Sequence, residues 1–310
     1  MKKALILLNM GGPNNLDEVK VFLDNMFNDP YILGIKNEKL RSFVAKIITT
    51  LRVKPATSNY KQIGDKSPIV EITQSLVDKI SAKTDYDVDF IMRYTPPFAS
   101  DVLHKYKNYD EIVFLPLYPH HSITTVKSSV DDAKREYQNL GMSAKVRVID
   151  VFYKNEKYNN LQLNLIKDKI KGLSEDEISD TSLIFSAHSM PESTIKKGDL
   201  YQKHKEEHVE ILTKMLEKEG IFFKEVKLAY QSRLGPVKWL GPNLSFSLPL
   251  CVSKKALIVP LSFCIDNSET IYELDIEYRE VAKENNFKWY EVCKCPNDSD
   301  EFVEFILSLV

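Results

Sequence analysis

Short apolar runs alternate with longer amphipathic stretches along the whole 310-residue chain. The runs are of strand length and rich in branched aliphatic residues, the pattern of strands buried on both faces. In the first half they predict strands near Ala4–Leu8, Val88–Arg93, Glu111–Leu117 and Lys145–Ile149. In the second half they predict Ser182–Ala187, Glu225–Tyr230, Ala256–Leu261 and Lys288–Glu291. Helical spacing covers Leu16–Phe27, Gln74–Ser81, Ser129–Leu140, Tyr158–Lys171 and Lys203–Lys218, the last reading as a strongly charged, solvent-facing helix. Such alternation predicts an α/β chain of parallel sheets covered by helices. Two halves of similar rhythm predict two similar Rossmann-like domains, residues 1–150 and 151–298. Each would hold a four-stranded parallel sheet, with a cleft between the two. Residues 299–310 predict a short amphipathic helix packing back on the first domain.

Net charge is −2 and the sequence pI about 6.3. Without a basic excess, nucleic-acid binding has no electrostatic support. Cys251, Cys264, Cys293 and Cys295 lack the paired spacing of a zinc site and are too few for a disulfide framework, so reduced thiols in a cytoplasmic protein are expected. The apolar start, Ala4–Leu8, is too short for a secretory signal and reads as the first strand. No run reaches the length of a membrane-spanning helix. Nothing indicates the oligomeric state.

Strand ends carry the unusual residues, and open α/β sheets place ligands at their carboxyl ends. His188 follows the Ser182–Ala187 run, and imidazole serves both proton transfer and metal binding. Glu269 follows the Ala256–Leu261 run, and Glu269, Glu273 and Glu277 are spaced by four, one carboxylate stripe on a helix. A solvated face is the plainer reading of that stripe. Asn9-Met-Gly-Gly-Pro13 allows a sharp turn and a close approach to a ligand, but neither a dinucleotide fingerprint nor a P-loop is present. Arg93 and Tyr94 read equally as contacts to a ligand's carboxylates and flat ring, or as a surface Arg and a packed Tyr. His120 and His121 are adjacent, which favours a loop role over chelation. Trp239, between Gly235-Pro236 and Gly241-Pro242, reads as a wall for a flat apolar ligand or as a core residue.

Taken together, Leu8–Pro13, Tyr60–Ile69, Met92–Tyr94, Leu117–Ser122, Phe185–Pro191, Gln231–Pro242, and Pro260–Phe263 through Glu269–Asp275 resemble the ferrochelatase family, in order and over nearly the whole chain. The resemblance implies insertion of Fe²⁺ into a porphyrin to form haem, with protoporphyrin IX the leading substrate and coproporphyrin left open by the sequence. It implies that His188 and Glu269 handle pyrrole protons and metal from opposite faces of the cleft. Glu273 and Glu277 would be a metal or proton route, and Met10, Tyr60, Arg93, Tyr94, Tyr118, Ser122 and Trp239 would line the macrocycle. Fe²⁺ would be a substrate, and no cofactor would be required. An iron–sulfur cluster is not expected, because the cysteines do not reproduce the ligand set some members carry on a carboxyl extension. Asn267 stands where many members have a second histidine. An apolar product suggests peripheral membrane contact. A chelatase of the same fold acting on cobalt or another tetrapyrrole, and a non-catalytic tetrapyrrole carrier, are the competing readings.

Overall fold

The computed structural model describes residues 1–233, 235 and 237–310. Leu234 and Pro236 of the expected Gly-Pro turn lie outside the described residues. The first sheet is built from β1 (Lys3–Asn9), β2 (Asp87–Met92), β3 (Glu111–Pro116) and β4 (Lys145–Val148). The second is built from β5 (Ser182–His188), β6 (Glu225–Gln231), β7 (Lys255–Pro260) and β8 (Trp289–Val292). Both sheets are parallel throughout, in the orders β2-β1-β3-β4 and β6-β5-β7-β8, so the halves share one topology.

Each sheet is buried on both faces, which is why its strands are continuously apolar. Leu5 and Leu7 point to one side with Met92, Val113 and Leu115, while Ala4, Ile6 and Leu8 point to the other with Ile112 and Phe114. In the second sheet Leu183 and Phe185 face away from Ile184 in the same manner. Burial of each such side chain contributes about 1.5–3 kcal/mol.

Helix Glu156–Ile170 serves both cores. Tyr158 and Leu161 pack in the first, and Leu163, Ile166 and Ile170 in the second. Helix Asp300–Leu307, capped by Ser299, buries Phe302, Val303, Phe305 and Ile306 against Leu76 and Ile80 of the first core. The charged helix was expected to face solvent. It runs Tyr201–Lys218 and instead buries Tyr201, His204, Lys205, His208, Leu212 and Leu216 along one side. Helix Glu38–Lys61 has no counterpart among the expected elements. It buries only Ala45, Thr49 and Tyr60, so no core-facing stripe marks it in the sequence.

The Asn9–Pro13 turn packs tightly, but what it approaches is the protein itself. A Cβ on Gly11 (φ +83) would lie 2.4 Å from Thr95 Oγ1, and one on Gly12 would lie 2.6 Å from Ser67 Oγ. Thr95 Oγ1 also accepts from Gly12 N at 3.0 Å. Gly11→Ala combines a strained backbone with a clash and is expected to cost about 2–4 kcal/mol of unfolding free energy. Gly34→Ala (φ +67), where nothing lies within 4 Å, should cost about 1 kcal/mol. Chemical denaturation of both variants checks this; equal losses would refute the packing role.

Candidate active site

β5 lies between β6 and β7, with His188 beside Gln231 and Ser186 beside Pro260. In parallel strands all carboxyl ends emerge at one edge, so three neighbouring exits converge. His188 ends β5. Gln231 and Ser232 follow along β6. From β7 the chain runs through Ser262 to Asn267, which caps the next helix by accepting from Glu269 N at 2.9 Å. That helix, Glu269–Glu277, is π-helical and continues as Tyr278–Glu284. π-helical segments are uncommon and concentrate at functional sites.

His188 Nδ1 lies 2.7 Å from Glu269 Oε2. This overturns the expectation that the two groups face each other across the cleft. They share one wall of the second domain, in direct contact, because their strands are sheet neighbours; the 81 residues between them in sequence carry no such information. No macrocycle fits between them. A ring held at Nδ1 by a carboxylate keeps its proton there and leaves Nε2 as the open nitrogen. The His188 side chain is 40% exposed, and among the described residues its Nε2 has no hydrogen-bond partner.

Glu269 also lies within reach of Gln231 Nε2 (3.2 Å) and Ser232 Oγ (3.3 Å), and Ser186 Oγ donates to Gln231 Oε1, fixing that amide. Ser232, at φ +63, donates its N–H to Glu273 Oε1 at 2.9 Å and its hydroxyl to Glu273 Oε2. Burial acts to lower the His188 pKa, but the Glu269 charge and hydrogen bond outweigh it and raise the imidazole above its ordinary value. Burial acts to raise Glu269, but His188 and the Gln231 and Ser232 donors bring it below the usual range. Glu273 has no such cation against it. Burial, and next the Glu269 charge, push it up to about 7. Glu277 is exposed, so the stripe runs from His188 outward to solvent.

The backbone of His188 is also held. Its N–H donates to Ser262 Oγ at 3.0 Å, Tyr201 OH donates to its carbonyl at 2.9 Å, and Tyr201 OH and Ser262 Oγ are 2.8 Å apart. Trp239 bridges antiparallel to Pro191, with Leu240 N bonded to Met190 O and Glu192 N to Lys238 O, so its loop is stitched to the segment leaving His188.

Of the expected first-domain lining residues, several have other partners. Arg93 is paired with Asp29 at 3.1 Å and Asp132 at 3.5 Å and donates to Ser128 Oγ. Tyr94 is buried and donates to Asp29 at 3.0 Å. Tyr118 is buried with its hydroxyl on Ser129, and Ser122 is wholly buried as a helix cap against Asp199. Each of these four is thus held by partners within the protein. Met10 remains partly exposed beside Tyr60 and Tyr94. Tyr60 OH reaches Ser268 Oγ, at the start of the Glu269 helix, at 3.2 Å. Asn267 is a buried cap and shows no chemistry of its own. Sequence reasoning missed Gln231, Ser232, Tyr201, Asp29 and Asp199, none of which lies on a periodic pattern that signals a site. Among the described residues no cluster of His, Cys, Asp and Glu forms a ready-made metal site.

A family model described as ferrochelatase matches residues 2–310. The ferrochelatase of Campylobacter concisus is 59% identical over 309 residues, spanning 99% of this chain and 96% of that protein. That of Sulfurimonas denitrificans is 47% identical over 312 residues, spanning 99% and 98%. Among solved structures, the sirohydrochlorin chelatase of Bacillus subtilis subspecies spizizenii, in complex with cobalt, aligns at TM-score 0.58 and 11% identity, over 100% of this chain and 94% of that one. That likeness concerns the fold alone: two similar halves, each a parallel sheet covered by helices. Family match and close relatives over the full length together establish that the chain belongs to the ferrochelatase family, enzymes that insert ferrous iron into a porphyrin to make haem.

Proposed function

We propose that in this family member protoporphyrin IX is the porphyrin metallated and His188 the proton acceptor, with Glu269, Glu273 and Glu277 the route for protons and Fe²⁺. The observation that carries the reading is the 2.7 Å contact from His188 Nδ1 to Glu269, which leaves Nε2 open on a part-exposed ring. Metallation removes two pyrrole protons and admits one dication. Nε2 takes a pyrrole proton, and the Glu269 carboxylate stabilises the imidazolium that forms. The proton moves on toward Glu273 and solvent, and repetition leaves a dianionic macrocycle for Fe²⁺. Carboxylates and imidazole bind Fe²⁺ without the grip of thiolates, which suits release to the ring. Arg93 is already neutralised by Asp29 and Asp132, so it is not a spare cation for an additional propionate. This favours protoporphyrin over coproporphyrin, which carries twice the carboxylates.

A peripheral membrane contact and a cytoplasmic location belong to the same reading. Helix Glu38–Lys61 exposes Leu40, Phe43, Ile47 and Leu51 along one side, with Lys36, Lys39, Lys46, Arg52 and Lys54 exposed around them. An apolar stripe edged with cations suits an anionic bilayer surface.

With protein, Zn²⁺ or Fe²⁺ and each porphyrin mixed anaerobically, the absorbance change of metallation is expected to be faster with protoporphyrin than with coproporphyrin. His188→Ala should lower kcat by about 100-fold or more while porphyrin binding persists. Normal turnover by that variant would refute the assignment.

Glu273 supplies a second test. Its folded pKa, about 7, lies above the ordinary 4.5, so between these values the native state holds a proton that the unfolded chain has released. Stability attributable to this group therefore falls as pH rises through that window. Glu273→Gln is expected to be neutral near pH ~5 and stabilising by about 1–3 kcal/mol near pH ~8. Unfolding curves at the two pH values decide, and an equal effect at both contradicts the assignment. For the membrane contact, Phe43→Asp with Leu51→Asp should abolish co-sedimentation with phosphatidylserine vesicles and leave turnover of soluble substrate intact; retained sedimentation would exclude this face.

A further inference from the structure

Lys205 is wholly buried, and nothing in the mechanism above uses it. Among the described residues it has no carboxylate partner. Its Nζ donates to Leu261 O at 3.2 Å and to His120 Nδ1 at 2.8 Å, and it lies 4.7 Å from the centre of the Tyr201 ring. The chain of contacts continues. His120 Nε2 lies 2.9 Å from His208 Nδ1, and His208 Nε2 lies 2.8 Å from Asn159 Oδ1. Asn159 Nδ2 donates to Tyr153 O, which orients the amide with its oxygen toward His208. That fixes every tautomer in turn. His208 carries its proton on Nε2, so its Nδ1 accepts from His120 Nε2–H, and His120 Nδ1 is left to accept from Lys205. Burial lowers the pKa of both imidazoles below their ordinary value, consistent with neutral rings.

The placement gives this chain its meaning. Leu261 leaves β7 toward Glu269. His120 leaves β3, in the other half of the molecule. Tyr201, one turn before Lys205 on the same helix, binds the carbonyl of His188 at the end of β5 and meets Ser262, next to Leu261. One amine therefore spans the exits that carry both members of the catalytic pair and ties them to the first domain. We propose that Lys205 is a positioning residue for the His188–Glu269 pair, acting through Leu261 and through the Tyr201–Ser262 bonds to His188, with His120 and His208 fixing where its amine sits.

The inference rests on the reading of His188 as proton acceptor. Lys205→Met preserves length and shape and removes the donors. In anaerobic zinc insertion it should lower kcat by about 10–100-fold, the cost of misplacing reacting groups by roughly an ångström. KM for porphyrin should hold, because no lining residue is touched. Tyr201→Phe keeps the ring beneath the amine and removes only the hydroxyl. It should show the same split of kcat from KM. Because both act on the same strand exits, the double variant should lose less than the product of the single losses. Retained kcat in Lys205→Met, or multiplicative losses in the double variant, would overturn the proposal. If Lys205→Met does not fold, His120→Leu and Tyr201→Phe decide: a fall in kcat at constant KM in both supports it, and retained kcat in either defeats it. An active His188→Ala would sink the underlying reading, whereas an inactive His188→Ala beside a fully active Lys205→Met would sink this inference alone.

Discussion

Parallel pairing of β5 with both β6 and β7 is the constraint on which the site depends. A parallel sheet sends every strand's carboxyl end to the same edge, so neighbouring strands deliver their following residues side by side. The register sets His188 beside Gln231 and carries Pro260 level with Ser186. From there a short descent through Ser262 and the Asn267 cap brings Glu269 to His188. No loop has to be long or strained to bring the pair together. The exception is Ser232, whose left-handed backbone turns both of its donors onto the Glu273 carboxyl, a small local cost set against two hydrogen bonds.

Electrostatics then separates two chemically identical carboxyls. Glu269 has an imidazole and two side-chain donors against it and sits at the positive end of its helix, so it stays ionised despite burial. Glu273, one turn on, meets the same burial and the charge of Glu269, which outweigh the Ser232 hydrogen bonds and the more distant His188, and it holds its proton to about neutrality. A fixed base partner beside a carboxyl that titrates near neutral pH is what proton removal toward solvent requires. The same arrangement sets a line of carboxyls from His188 outward to the exposed Glu277.

Much of this was legible in the sequence. All eight strands lie within a few residues of where their apolar runs put them, because strands buried on both faces leave an unbroken signature. His188 and Glu269 stand out because they follow such runs. Their mutual position was not legible: whether two strand ends face or adjoin each other depends on strand order, which the runs do not encode. The sequence could not decide between a ligand contact and a surface Arg at position 93, because its partner Asp29 sits in a stretch with no periodic mark. The buried face of Tyr201–Lys218 did leave a trace. Positions 201, 205, 208, 212 and 216 follow helical spacing, but three of them are charged or titratable, and composition obscured the pattern.

The two halves use one device for different ends. After β3, as after β7, the chain enters a π-helical turn, Ile123–Lys127 in the first case. A helix start leaves amide donors unsatisfied and attracts a carboxylate. In the first half that carboxylate comes from the other domain: Asp199 accepts from Ile123 N at 2.8 Å and from Ser122 Oγ at 3.2 Å, and the helix start becomes a clamp. In the second half the first helical residue is itself the acid, Glu269, and its charge is turned outward to His188 instead of being used across the interface. The second turn is clamped by a neutral contact, Tyr60 OH to Ser268 Oγ. In the half whose helix start supplies its own anion, the interface takes no share of that carboxylate's charge, and the charge is left to His188.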